Sequence, residues 1–107
     1  MNSVNILDYG CGNILSLKRA LIELGFDVKF CNDEKTLDET NFLIVPGVGA
    51  FENARNVLKK KNLIDALREY CLIKKKPILG ICLGMQLLLS KSYEMGEHSG
   101  LDIIKGK

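Results

Sequence analysis

The sequence has no Trp and a single His, and its only aromatic residues are three Tyr and four Phe. So few rings leave no platform for stacking bases. It also lacks a charge surplus of either sign, since 15 Lys and Arg against 13 Asp and Glu leave a formal net charge of +2. That balance gives no electrostatic case for nucleic acid or an anionic membrane surface. No two of its cysteines, Cys11, Cys31, Cys71 and Cys82, form a C-x-x-C pair, which excludes zinc-ribbon and thioredoxin-type readings. The first residues show no basic region followed by an apolar stretch. A signal peptide is therefore not expected, and a reducing, cytoplasmic setting with free thiols is. The longest apolar stretch, residues 77–89, is too short to span a bilayer and is interrupted by Gln86. Neither a metal nor a cofactor is expected.

What is present is an ordinary globular balance, 47% apolar and 26% charged residues in 107. That length suits a single domain over residues 1–107. Residues 4–7, 26–31, 42–45 and 77–81 are short apolar runs stopped by Gly, Pro or polar residues, the mark of buried strands. Asn13 is placed to cap a helix carrying Ile14, Leu17, Leu21 and Leu24, with Gly25 closing it. Residues 32–40 read as a polar loop with one helical turn. Residues 50–60 read as a helix, and Leu63, Ile64, Leu67, Cys71 and Leu72 as the apolar stripe of another. Lys59 to Lys61 and Lys74 to Lys76 fall at helix ends, where cations favour the dipole. Residues 82–89 continue as a helix, residues 90–100 are mostly polar, and residues 101–104 read as the start of a further element. Strands separated by helices predict an α/β fold with a parallel sheet, flavodoxin-like in the order 2-1-3-4, with helices on both faces.

In such sheets, ligands bind beyond the carboxyl ends of the strands. Three Gly-containing segments fall there. Gly80-Ile81-Cys82-Leu83-Gly84 follows a strand and opens a helix, the context of a nucleophile elbow with Cys in place of Ser. A thiol at a helix N-terminus is more readily ionised. The same five residues also fit a buried structural Cys in a glycine-flanked turn. Pro46-Gly47-Val48-Gly49 could supply an oxyanion donor, with the N–H of Leu83 as a second, or could be an ordinary strand-ending turn. Gly10-Cys11-Gly12-Asn13 starts like a dinucleotide loop, but Leu15 stands where a third glycine would be. A nucleotide-binding flavodoxin-like protein thus rests on that partial loop alone. His98 is a formal candidate for a general base, although its polar surroundings read as an exposed loop. Cys11, Cys31 and Cys71 read as core or loop fillers.

Four ordered segments give the chain a family resemblance. They are Asp8-Tyr9-Gly10-Cys11-Gly12-Asn13, Pro46-Gly47-Val48-Gly49-Ala50-Phe51, Gly80-Ile81-Cys82-Leu83-Gly84-Met85-Gln86, and Gly100-Leu101-Asp102-Ile103-Ile104-Lys105-Gly106. With them the chain resembles the class I, triad-type glutamine amidotransferases. It looks most like the HisH family, the glutaminase subunits of imidazole glycerol phosphate synthase in histidine biosynthesis. The resemblance implies that Cys82 attacks the side-chain amide of glutamine and that ammonia passes to a HisF-like (β/α)₈ barrel in a heterodimer. It further implies an oxyanion hole from Val48, Gly49 and Leu83, a glutamine contact by Gly49 and Gln86, and a partner-facing loop of Gly10, Cys11, Gly12 and Asn13. Residues 93–101 are also similar to paralogues that supply ammonia for amidating surface-polysaccharide sugars. The family's catalytic H-x-E pair has no counterpart among the 107 residues. An N-terminal portion of the family domain, inactive alone, is therefore expected, and a non-catalytic docking module is the alternative. In the chain without its partner, the Gly47–Val48 peptide is expected to turn its carbonyl toward the site.

Overall fold

The computed structural model describes residues 3–10, 13–93 and 96–106. Strand β1 (Ser3–Leu7) leads to helix α1 (Ile14–Glu23), β2 (Asp27–Cys31) and the short helix α2 (Glu34–Asp38). Then come β3 (Leu43–Val45), α3 (Phe51–Lys60), α4 (Ile64–Arg68), β4 (Ile78–Gly80) and α5 (Leu83–Leu87). A two-residue pair, β5 (Lys91–Ser92) and β6 (His98–Ser99), follows. The main sheet runs β2-β1-β3-β4 with every neighbouring pair parallel, the order expected from the sequence.

Alternation along the strands divides the apolar residues between two faces. Leu7, Leu43 and Val45 join the main core, packed by Leu37 of α2, Phe51, Ala54 and Leu58 of α3, and Leu67 of α4. The α3 residues recur at three- and four-residue spacing, the period of one helical face. Val4, Ile6 and Ile44 face the other way and are also buried. Right-handed crossovers account for this division: α1 returns to one side of β1, and the later connections cross on the opposite face. At the start of α1 the Asn13 side chain accepts from the Ser16 N–H at 3.4 Å, and Gly25 beyond its end has φ +94°.

Three elements differ from expectation. The helix through Leu63 and Leu72 is α4 followed by a π-helical turn, Glu69–Ile73, closed by the Lys74 N–H on the Glu69 carbonyl. The wider turn brings Tyr70 inward, where its hydroxyl donates to the Pro77 carbonyl at 2.8 Å, and leaves Leu72 exposed instead of on the core stripe. Burial pushes the Tyr70 hydroxyl up to about 12. Helix α5 ends early because residues 101–104 capture its carbonyls: the N–H groups of Leu101 and Ile103 donate to Leu87 and Leu88. Residues 101–104 therefore form a cap with one isolated bridge, Leu89 to Ile104, and no strand. The polar residues 90–100 are not plain loop, since β5 and β6 pair antiparallel within them.

Candidate active site

The β4–α5 junction is built by steric necessity. A Cβ on Gly84 would lie 1.8 Å from the Val45 carbonyl oxygen, and one on Gly80 would lie 2.7 Å from the Met85 Cα. No side chain fits either place, so the chain can turn sharply from β4 into α5 only with glycine on both flanks. Between them Cys82 is exposed and holds φ +54°, ψ −119°. A non-glycine residue there stores strain of ~1–3 kcal/mol, which the surrounding structure must offset. The reading of Cys82 as a buried structural thiol is thus corrected, because the turn lifts it to the surface.

The segment after β3 meets this turn directly. The Leu83 N–H donates to the Gly47 carbonyl at 3.2 Å. The Gly47–Val48 peptide thus presents its oxygen, not its N–H, to the elbow. A Cβ on Gly47 would meet the Tyr9 hydroxyl at 2.7 Å and the Leu83 Cβ at 2.9 Å, and Gly49 holds φ +100°. Tyr9 is fully buried, and its hydroxyl donates to the Pro46 carbonyl at 2.6 Å. This clamp ties the strand-one motif to the strand-three motif. Sequence reasoning did not assign Tyr9 a role, although its place in Asp8-Tyr9-Gly10 was the signal.

Val48 and Gln86 are both exposed, Val48 beside the Gly47 carbonyl and Gln86 on the first turns of α5. Of the loop read as partner-facing, Gly10 and Asn13 are both exposed, while Cys11 and Gly12 lie outside the described residues. Cys31 is buried and Cys71 half-buried, as fillers should be. Burial pushes the Cys31 thiol up, and the Cys71 thiol to about 11. His98 is not an exposed loop residue. It lies on β6 with its side chain one-fifth exposed, Nε2 3.7 Å from Glu52 Oε2 and its ring against Phe51. It is seated at the start of α3 because β5 and β6 fold back there. Among the described residues no group of three or more His, Cys, Asp or Glu is placed to hold a metal ion, and no helix is long and apolar enough to cross a membrane.

A parallel α/β sheet with a strained cysteine on a glycine-flanked strand–helix turn defines the class: an elbow-type protein whose exposed thiol is presented at the carboxyl end of a strand. The model of the class-I glutamine amidotransferase family matches residues 5–104, and the chain belongs to that family. It is 48% identical over 103 residues to the imidazole glycerol phosphate synthase subunit HisH of Aquifex aeolicus (strain VF5), covering 95% of this chain and 49% of that protein. It is 43% identical over 107 residues to subunit HisH 1 of Legionella pneumophila (strain Paris), covering 100% of this chain and 50% of that protein. The chain thus spans about half the length of the curated relatives it matches. A peptidase E-like protein from Listeria monocytogenes EGD-e shares the fold with TM-score 0.75 at 15% identity, over 96% of this chain and 63% of that one.

Proposed function

We propose that this chain is the nucleophile-bearing portion of a glutaminase subunit of imidazole glycerol phosphate synthase, acting in histidine biosynthesis in the cytoplasm. The observation that carries the reading is the exposed, strained Cys82 between two glycines that no other residue can replace. The names of the relatives favour this acceptor over a polysaccharide sugar.

The Cys82 thiolate adds to the carboxamide carbon of glutamine. The C–N bond then breaks, ammonia leaves with a proton from a general acid, and a glutamyl thioester remains. Water cleaves the thioester to glutamate and restores the thiol. Val48, Gly49 and Leu83 stabilise the oxyanion, and Gly49 and Gln86 hold glutamine. The His and Glu of the triad come from polypeptide equivalent to the second half of the relatives. Without that base and acid the 107 residues alone lose ~10²- to 10⁴-fold in turnover. Ammonia passes to a HisF-like barrel that docks near Gly10 and Asn13.

The Leu83 N–H bonds the Gly47 carbonyl, and in this reading that oxygen occupies a donor the oxyanion would need. Turning the Gly47–Val48 peptide would free the Leu83 N–H and add that of Val48. Each absent donor costs ~10²- to 10³-fold, so the switch that partner docking would throw is at least that large.

The test is glutamine turnover by a chimera in which this chain replaces the matched residues of the Aquifex relative. The chimera should release glutamate, with Cys82→Ala inactive and Cys71→Ser unimpaired. Retained turnover in Cys82→Ala refutes the assignment.

A further inference from the structure

Strands of a parallel sheet are normally near-continuous in apolar residues, and β1 breaks that rule at Asn5. Asn5 lies mid-strand, two residues before Leu7 and so on the same face, the one that carries the main core. Its in-register neighbours are Lys29 on β2 and Leu43 on β3. Asn is depleted in strands, and a position that departs from its local pattern is where function is expected. Asn5 is half-buried and lines a groove of about 470 Å³, within the size range of small-molecule sites. Ser3, Asn5 and Lys29 contribute to it from the strands, and Thr36, Glu39 and Asn41 from α2 and the segment after it. The groove lies toward the amino ends of β1 and β3, whereas Cys82 follows the carboxyl end of β4.

The wall of the groove is held in place from behind. Asp33 and Thr36 close the capping box of α2. Beyond α2, Thr40 is buried with its hydroxyl donating to the Thr36 carbonyl at 2.8 Å, and Lys76 Nζ donates to the Asp38 and Thr40 carbonyls at 3.1 and 2.7 Å. A pre-organised wall lowers the ordering cost of binding. The polar groups facing the groove are uncommitted: among the described residues no hydrogen bond or ion pair engages the side chains of Asn5, Lys29, Glu39 or Asn41. Lys29 and Glu39 are both exposed and bring opposite charges to one groove without pairing with each other. A lone anion there would meet Glu39, and a lone cation would meet Lys29, whereas a dipolar molecule satisfies both. We infer that this groove binds a free α-amino acid as its zwitterion, the carboxylate at Lys29, the ammonium at Glu39 and a polar side chain at Asn5 and Asn41. Each of these two amides can both donate and accept. The inference rests on the residues of this groove and not on chemistry at Cys82, and its test reads binding instead of turnover.

The probe is L-histidine, chosen because each of its charges can be removed singly, titrated into the chain and followed by the NMR shifts of backbone amides. Saturable millimolar binding is expected, with the shifts centred on Asn5, Lys29 and Asn41. Histamine, which lacks the carboxylate, and imidazolepropionate, which lacks the ammonium, should each bind at least tenfold more weakly. Lys29→Met and Glu39→Gln should each weaken L-histidine at least tenfold, and Lys59→Met on α3 should leave it unchanged. All three positions are exposed, so no variant should disturb the fold, and circular dichroism verifies this. L-Serine is the second probe, for a groove too narrow for an imidazole. Where the chain alone does not fold, the chimera, which keeps the groove, is titrated instead. No shift with either amino acid, histamine or imidazolepropionate binding as tightly as L-histidine, shifts centred elsewhere, or affinity indifferent to Lys29→Met or to Glu39→Gln overturns the inference.

Discussion

Gly84→Ala tests the steric origin of the elbow. The added Cβ would sit 1.8 Å from the Val45 oxygen and 2.7 Å from its carbonyl carbon, far inside any contact a Cβ makes. That oxygen already accepts the Ile81 N–H at 2.9 Å, so it cannot retreat without losing the bond that closes the β3–β4 ladder. Overpacking against backbone and the lost hydrogen bond together cost about 3 kcal/mol. With a urea slope near 1.5 kcal/mol/M, that lowers the unfolding midpoint by about 2 M. Gly25→Ala is the comparison, because its Cβ meets nothing within 4 Å and only its φ of +94° opposes a side chain. It should cost about 1 kcal/mol. Urea unfolding followed by circular dichroism measures both. A Gly84→Ala midpoint no lower than that of Gly25→Ala would refute the claim that close packing selects glycine at the elbow.

Tyr9→Phe keeps the buried ring but removes the donor to Pro46, so it should lower stability by ~1–3 kcal/mol; an unchanged urea midpoint would mean the clamp carries no weight. Iodoacetamide at pH 8 should modify exposed Cys82 before Cys31 and Cys71, because a thiol at about 11 is thiolate only about one part in a thousand at that pH. Peptide mapping that finds Cys71 alkylated first would contradict this. Asp33, Glu97 and Asp102 are held below the ordinary carboxylate range, chiefly by hydrogen bonds from the Thr36 backbone, Lys91 and Lys105 respectively. Their folded values are lowered, so their contribution is complete above pH ~4.5 and is lost as pH falls through the lowered values. The urea midpoint should fall between pH 5 and 2.5, less steeply in Asp33→Asn, and a flat profile would contradict the shifts.

The strand order was legible because short apolar runs alternate with helical stripes and end in glycine or polar residues. Asn13 and Gly25 marked the ends of α1 for the same local reasons. The π-helical turn was not legible, because the apolar stripe from Leu63 to Leu72 carries no mark of a wider turn, and Tyr70 meets the Pro77 carbonyl only in the folded chain. Likewise α5 stops at Leu87 through carbonyl capture by residues 101–104, which no helix signal near Leu88 announces. His98 read as loop because β5 and β6 are only two residues each, too short for alternation to show. At the site, Gly80, Cys82 and Gly84 stood out as a local motif. Tyr9 did not, since its role depends on the neighbouring strand that brings Pro46 beside it.

The central claim is that Cys82 attacks glutamine. The most direct measurement is the site of alkylation of the chimera by a glutamine-analogue diazo-ketone, read by peptide mass spectrometry. One adduct on Cys82, prevented by excess glutamine and absent in Cys82→Ser, is the predicted result. An adduct on another cysteine, no adduct, or labelling indifferent to glutamine would contradict it.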